Sequence, residues 1–221
     1  ALGSWAIDNV GTKYIELAPD YEFGYSSVLA AEVAFKELGA EFVGDAIYAP
    51  TDTTEFTPYL QRVIDSGADG ALLTWAGASS INLFQQVAEL GMLEQGARPV
   101  ILTGFNSNDI TIAFADESQI GNIGLIVYHY TAPKTEINDW LVARHKEVYS
   151  DVPDLFTECG FATAQALVAG LELAEGSTFT EDLIPALEGL EWEGPKGTYY
   201  MRPEDHQALL PMYVVQLANI D

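Results

Sequence analysis

The residues able to do chemistry in this chain are few, and their spacing does not favour catalysis. The histidines are His129, His145 and His206. None stands in the His-x-x-x-His spacing that places two imidazoles on one helix face to hold zinc. His145 sits between Arg144 and Lys146 on a predicted helix and reads as a solvated residue. His206 lies beside Glu204 and Asp205, where an acid–base role is conceivable, but a turn residue is the simpler reading. Cys159 is the single cysteine, so no intramolecular disulfide forms. Its neighbours Gly160, Phe161, Ala162 and Ala164 suggest a small side chain packed in a helix. There is no Gly-x-Ser-x-Gly elbow and no phosphate loop, and Gly121 and Gly124 lack the third glycine of a dinucleotide fingerprint. Acidic pairs are so common that none stands out for glycoside hydrolysis. No catalytic residue, no metal ligand and no cofactor is expected.

What remains is suited to holding a small molecule. Tyr21, Phe23 and Tyr25 cluster after the first predicted strand. Trp75 ends the third and is followed by Ala76-Gly77-Ala78-Ser79-Ser80. Phe105 and Asn106 follow the fourth. Rings give apolar area at low entropic cost and stack on planar ligands, and a few polar groups fix orientation. Ser79 and Ser80 open a helix, where backbone N–H groups either accept a carboxylate or are simply capped. The candidate ligand-binding set is Phe23, Tyr25, Trp75, Ala76, Ser79, Phe105 and Asn106. Trp75 and Phe105 carry a competing role, as plugs beneath the loops packing on Ile81 and Ile110.

The elements that must position these residues alternate. Strands are predicted at 13–18, 41–48, 70–75 and 98–103. Between them lie helices at 24–38, 54–66 and 79–90, each stopped by a glycine: Gly39, Gly67 and Gly91. Strand–helix alternation at this spacing implies right-handed crossovers and a parallel sheet, with ligands beyond the carboxyl ends of the strands. The segments to inspect are therefore 19–25, 74–79 and 104–108. The pattern then changes. A strand at 121–130 leaves the sheet, followed by helices at 136–149, 156–175 and 180–190. Two late strands, 198–201 and 212–217, are expected as an antiparallel pair. Helices without strands of their own need a sheet to cover.

Composition narrows the function. The chain has 221 residues, nearly half of them hydrophobic, with Lys+Arg 9 against Asp+Glu 33 and a formal net charge of -24. Nucleic-acid binding and binding to an anionic membrane surface both need basic clusters and are disfavoured. The acids are scattered (Glu16, Asp45, Asp65, Glu117, Asp139, Glu188), which points to a generally acidic, halophile-like surface. No EF-hand spacing supports a calcium site. No run of about 18 apolar residues spans a membrane, and no signal segment opens the chain.

The order of segments resembles a known family. The run KYIELAPDYEFGYSSVLAAEVAFKELGAEFVGDAIYAPTDTTEFTPYLQRVIDSGADGALLTW is similar to the second lobe of branched-chain amino acid ABC-transporter binding proteins. GPKGTYYMRPEDHQALLPMYVVQL is similar to their C-terminal end, in a subset carrying residues like Arg202, Asp205, His206 and Gln207. The resemblance implies an α/β, type I periplasmic-binding-protein-like fold, with a parallel-sheet lobe and the helical remainder of a second lobe. Residues 1–127 would be the core of lobe II, 131–193 the helical part of lobe I, and 194–221 a return to lobe II. More than a hundred preceding residues of such proteins would be missing, which suggests a partial chain. By resemblance Phe23 matches a cleft aromatic. Ala76 matches a tyrosine of the Leu/Ile/Val binder, and Asn106 matches its ammonium-binding glutamate. An amide at Asn106 removes the charge partner of an α-amino group, so an amide, a carboxylate, an aromatic solute or a polyol fits as well as a branched-chain amino acid. The implied function is extracytoplasmic capture of a small polar or aromatic solute between two lobes. Delivery is to an ABC permease, at a periplasmic, extracellular or cell-surface location. A ligand-sensing regulatory or receptor domain of the same fold is the alternative, and an α/β enzyme the less favoured one.

Overall fold

The computed structural model describes residues 2–103, 111 and 115–219. By its internal contacts the chain forms two compact units. Unit 1 is residues 1–126 with 213–221, and unit 2 is residues 127–212.

Unit 1 opens with α1 (Leu2–Asn9), an element the sequence reading did not include. It continues β1 (Lys13–Pro19), α2 (Glu22–Glu37), β2 (Glu41–Phe42), β3 (Ile47–Ala49), α3 (Thr57–Asp65), β4 (Gly70–Leu73), α4 (Ser80–Glu89), β5 (Arg98–Ile101) and β6 (Ile123–Ile126). The predicted glycine stops hold, since α2, α3 and α4 each end two residues before Gly39, Gly67 and Gly91. The strand expected at 41–48 is in fact two, because Gly44 adopts a φ of 84° and bends the chain between them. Both short strands still pair in parallel with β1.

The sheet has seven strands in the order β10-β6-β5-β4-β1-β2, with β3 also on β1. All pairings are parallel except that of β10 (Tyr213–Gln216), which runs antiparallel to β6. Buried residues alternate between the two faces. Tyr14, Leu72 and Val100 pack under α1 and α2 with Leu2, Ala6, Ala31 and Phe35. Ile15, Leu17, Ala71, Leu73 and Ile101 pack against α3 and α4 with Leu60, Val63, Leu83 and Phe84. A sheet covered on both faces explains why β4 reads as an unbroken apolar run. Each fully buried large apolar side chain contributes roughly 1.5–3 kcal/mol.

Unit 2 comprises α5 (Glu136–Tyr149), α6 (Leu155–Leu173), α7 (Thr180–Leu187) and a three-stranded sheet, β7 (Glu191–Gly194), β8 (Gly197–Met201) and β9 (Ala208–Leu209). Thr135 caps α5 by accepting from the Asn138 N–H at 3.0 Å. Asp154 caps α6 by accepting from Phe156 and Thr157 N–H. One expectation is corrected here. The strands at 198–201 and 213–216 do not pair with each other. β8 forms a hairpin with β7 through the Gly194–Gly197 turn, while β10 joins β6. A two-residue turn of Pro195 and Lys196 brings β7 back on β8 before the chain can travel further. By internal contacts unit 1 resumes at Tyr213. No described helix is long and apolar enough to cross a membrane.

Candidate functional site

The parallel strands of unit 1 end along one edge at Pro19, Ala49, Leu73 and Ile101. Hydrogen bonds stitch the loops that follow. Asp20 N–H donates to Ala49 O at 2.8 Å, and Leu102 N–H to Leu73 O at 2.8 Å. The edge therefore gathers residues 19–25, 50–56, 74–79 and 102–103. The second of these segments was not among those predicted, because it carries no solvent-facing ring or spacing signal.

The first segment turns sharply into α2. Tyr21 N–H donates to Pro19 O at 2.9 Å. Gly24 packs so closely that a Cβ there would lie 1.9 Å from Pro19 O, which accounts for the glycine in Asp-Tyr-x-x-Gly. Phe23 is half-buried, and its ring lies 5.8 Å from that of the exposed Tyr21. Tyr25 is exposed, packs edge-on against Tyr48 at 5.1 Å and donates its hydroxyl to Asp20. That hydrogen bond to a carboxylate, with a little burial, pushes the Tyr25 phenol above its ordinary pKa.

Segment 74–79 corrects one expectation. Trp75 stands at the carboxyl edge, but its side chain is only 1% exposed and belongs to the core. Its ring meets Phe56 edge-to-face at 4.8 Å, its Nε1–H donates to Ser79 Oγ at 2.9 Å, and Ile81 packs on the same core. Thr103 Oγ1 accepts from Trp75 N–H at 2.9 Å and donates to Trp75 O at 2.6 Å. Trp75 is thus the plug of the two roles considered. The turn above it is open: Ala76, Gly77 and Ala78 are exposed and Ser79 half-exposed. Ser79 is committed to Trp75 as an acceptor, but its own hydroxyl hydrogen can serve a ligand. Phe105 and Asn106 lie outside the described residues. Of the predicted set, the structure brings Phe23, Tyr25, Trp75, Ala76 and Ser79 to one sheet edge, with Trp75 beneath the surface.

A residue missed entirely is Gln86, one α4 turn from the core. Its Oε1 accepts from Phe56 N–H at 2.5 Å and Thr57 N–H at 3.0 Å, and its Nε2–H donates to Thr54 O at 2.9 Å. It caps α3 from another helix and fixes the 54–57 loop at this edge. Nothing in local spacing announces a cap that arrives from 29 residues away.

The charge at the edge is negative. Asp20, Asp52 and Glu55 are exposed there, and the four segments contain no Lys or Arg. A ligand carboxylate would have to rely on backbone N–H groups at the start of α4 rather than on a cation. Among the described residues no three His, Cys, Asp or Glu side chains converge as a metal site. His206 is an exposed turn residue with φ 57°, bonded to Glu188 at 2.9 Å. Arg202 closes the same turn by a two-pronged pairing with Asp205, so this motif holds a turn. Two shallow depressions of about 350 and 420 Å³ run along α5 and α6 in unit 2, lined by Trp140, Phe161 and Gln165 and by Val168 and Trp192. They share no residue with the sheet edge and are troughs on an apolar helical surface.

Comparison with known proteins agrees with this architecture. The family model described as periplasmic binding protein matches residues 1–220. The chain is 23% identical over 218 residues to Leu/Ile/Val-binding protein homolog 6 of Brucella melitensis, covering 98% of the chain and 55% of that protein. It is 32% identical, with a TM-score of 0.77, to the structure of an ABC-type branched-chain amino acid transporter from Rhodopseudomonas palustris, covering 97% of this chain and 59% of that one. A solute-binding protein of the R. palustris ABC transporter solved with 4-hydroxybenzoate superposes with a TM-score of 0.82 at 20% identity, over 97% of this chain and 58% of that one. The chain spans about half the length of the curated relatives it matches.

Proposed function

Because this chain belongs to the periplasmic binding protein family, we propose that it is the larger part of the solute-binding component of an ABC importer. It captures a small solute outside the cytoplasm and presents it to a membrane permease, without chemistry on the solute. Unit 1 is most of one lobe, and unit 2 is part of the other. The observation that carries this reading is the meeting of Tyr21–Tyr25 and Ala76–Ser79 at the carboxyl edge of a parallel sheet, in a chain of this family. Phe23 offers a ring face, the Ala76–Ala78 turn offers backbone close to a ligand, and the α4 start offers N–H donors.

The solute class is a small aromatic or polar carboxylate or amide. A half-buried ring beside a cation-free, helix-start anion site suits a planar acid such as 4-hydroxybenzoate, the ligand of the R. palustris protein. Two-lobed receptors gain affinity by closing both walls on the ligand, so the 221-residue chain alone binds weakly. The test is calorimetry on the full-length protein with 4-hydroxybenzoate, leucine and a small aliphatic amide. Binding of one class, lost in Phe23→Ala without a fall in melting temperature, supports the reading. Turnover of any of them, or no heat from all three, overturns it.

A further inference from the structure

Unit 2 contains a fully buried ion pair with no role in the proposed site. Lys196 Nζ lies 3.2 Å from Glu158 Oε2, with side-chain exposures of 0% and 1%. The chain has only nine Lys and Arg residues against a net charge of -24, yet one lysine is kept from solvent. Burying such a pair rarely stabilises a protein more than apolar residues of the same volume would. Its retention calls for a geometric reason, and the remaining bonds supply one. Lys196 Nζ also donates to the backbone oxygen of Val127 at 3.2 Å, and lies 5.6 Å from the Tyr199 ring centre. The Tyr199 hydroxyl donates to the other oxygen of Glu158. Trp192 stacks on Tyr199 at 5.1 Å. At Gly194 a Cβ would meet the Tyr199 ring at 2.5 Å, so the turn carrying Lys196 must pass close over it.

Val127 is the first residue of unit 2, directly after β6. The next residues are tied in the same way. Tyr128 OH donates to Asn138 Oδ1 at 2.8 Å, and Asn138 Nδ2–H to Tyr130 O at 3.0 Å. Thr135 Oγ1–H donates to Pro195 O at 2.7 Å, locking the α5 start to the turn that carries Lys196. We infer that Lys196 is a positioning residue. With Glu158 and Tyr199 it pins the crossover segment 127–130 to unit 2, so that this segment moves with α6 and bending along the chain falls outside it. The pin uses directional bonds because Val127 presents a carbonyl, which an apolar side chain cannot hold.

The test separates a pin from a space-filler. In the intact protein, the triple variant E158L/K196M/Y199F replaces the network by apolar groups of similar volume. Its melting temperature should equal or exceed that of the parent. The peptide covering 127–132 should nevertheless exchange amide hydrogens at least tenfold faster, while peptides from α5 and α6 are unchanged. Unchanged exchange at 127–132 overturns the inference. If the triple variant does not fold, the parent protein decides. Under mild denaturant, peptide 127–132 should open together with α6; independent, earlier opening overturns the inference.

Discussion

The two units solve the burial problem in opposite ways. In unit 1 both faces of the sheet are covered by apolar side chains. Its two clusters hold large side chains at or near zero exposure, among them Tyr14, Leu17, Phe56, Leu60, Leu73 and Phe84. Unit 2 buries few large apolar residues, and its interior holds an ion pair, Glu158 with Lys196. Its helices meanwhile expose Trp140, Tyr149, Phe156, Val168 and Leu173, each more than half accessible. Unit 1 is held by apolar area, which is forgiving of direction. Unit 2 is held by capped helices and directional polar bonds, and displays apolar surface that in the proposed full-length receptor would be covered. The contrast teaches that unit 1 carries its own apolar core, whereas unit 2 relies more on directional polar bonds.

The largest expected effect is in the unit 1 core. Trp75→Ala removes a ring at 1% exposure that touches Phe56 and holds Ser79. It should cost roughly 3–5 kcal/mol in denaturant unfolding. A loss below about 1 kcal/mol would mean that the ring faces a cleft and that unit 1 is less dry than its exposures indicate.

Glu16 departs from the apolar logic of unit 1, and it gives a pH prediction. Glu16 is 2% exposed, one carboxylate oxygen has no partner among the described residues, and its neighbours include Glu32, Lys36 and Tyr48. Burial first, then the charge of Glu32, raises its pKa from 4.5 to about 8, with Lys36 opposing. The unfolded chain releases this proton near 4.5 and the folded one near 8. Between those values the unfolded state binds fewer protons, so stability falls as pH rises, by up to roughly 1.4 kcal/mol per unit. Glu16→Gln should abolish this part of the slope. The two proteins should be close at pH 4, and the variant should be ahead at pH 7 by at most about 3 kcal/mol, less whatever its unpartnered amide costs. Parallel stability curves from pH 4 to 8 would show that Glu16 reaches water.

How much of this was readable in the sequence follows the same division. The unbroken apolar run of β4 and the glycine-stopped helices made the parallel sheet legible, because burial on both faces leaves a continuous apolar signal. The sheet-edge segments 19–25 and 74–79 followed from topology alone. The direction of Trp75 did not, since an edge ring serves equally as lid or lining and only its neighbours Phe56 and Ser79 decide. The late strands were found but mispaired. Pairing depends on the Pro195–Lys196 turn and on β7, whose Glu191-Trp192-Glu193 lacked a strand-like apolar run. Gln86 and Lys196 act across 29 and 69 residues respectively, a range at which local pattern is silent.

A smaller effect should be common to both units. The acids are spread through both, and only a handful pair with a cation among the described residues. Self-repulsion at a net charge of -24 is screened over about 3 Å in 1 M salt, against about 10 Å at 0.1 M. The melting midpoint should rise by several degrees between those concentrations of potassium chloride. A flat or falling midpoint would show the acids to be locally balanced.

The smallest effect is expected at Trp140, and it probes the contrast most sharply. Its side chain is 57% exposed on α5, tilted against Phe161 at 5.6 Å beside one of the shallow troughs. In the 221-residue chain Trp140→Ala should change stability by less than about 0.5 kcal/mol, as surface substitutions do. In the full-length protein, if further chain covers this face as proposed, the same change should cost several-fold more, because the ring would then leave a cavity rather than a patch of water. The ratio of the two losses, from denaturant midpoints at equal m-value, measures how much of the stability of unit 2 comes from outside it. Equal, small losses in both proteins would mean that the apolar face of α5 stays uncovered. A large loss in the short chain would mean that unit 2 is already as well packed as unit 1.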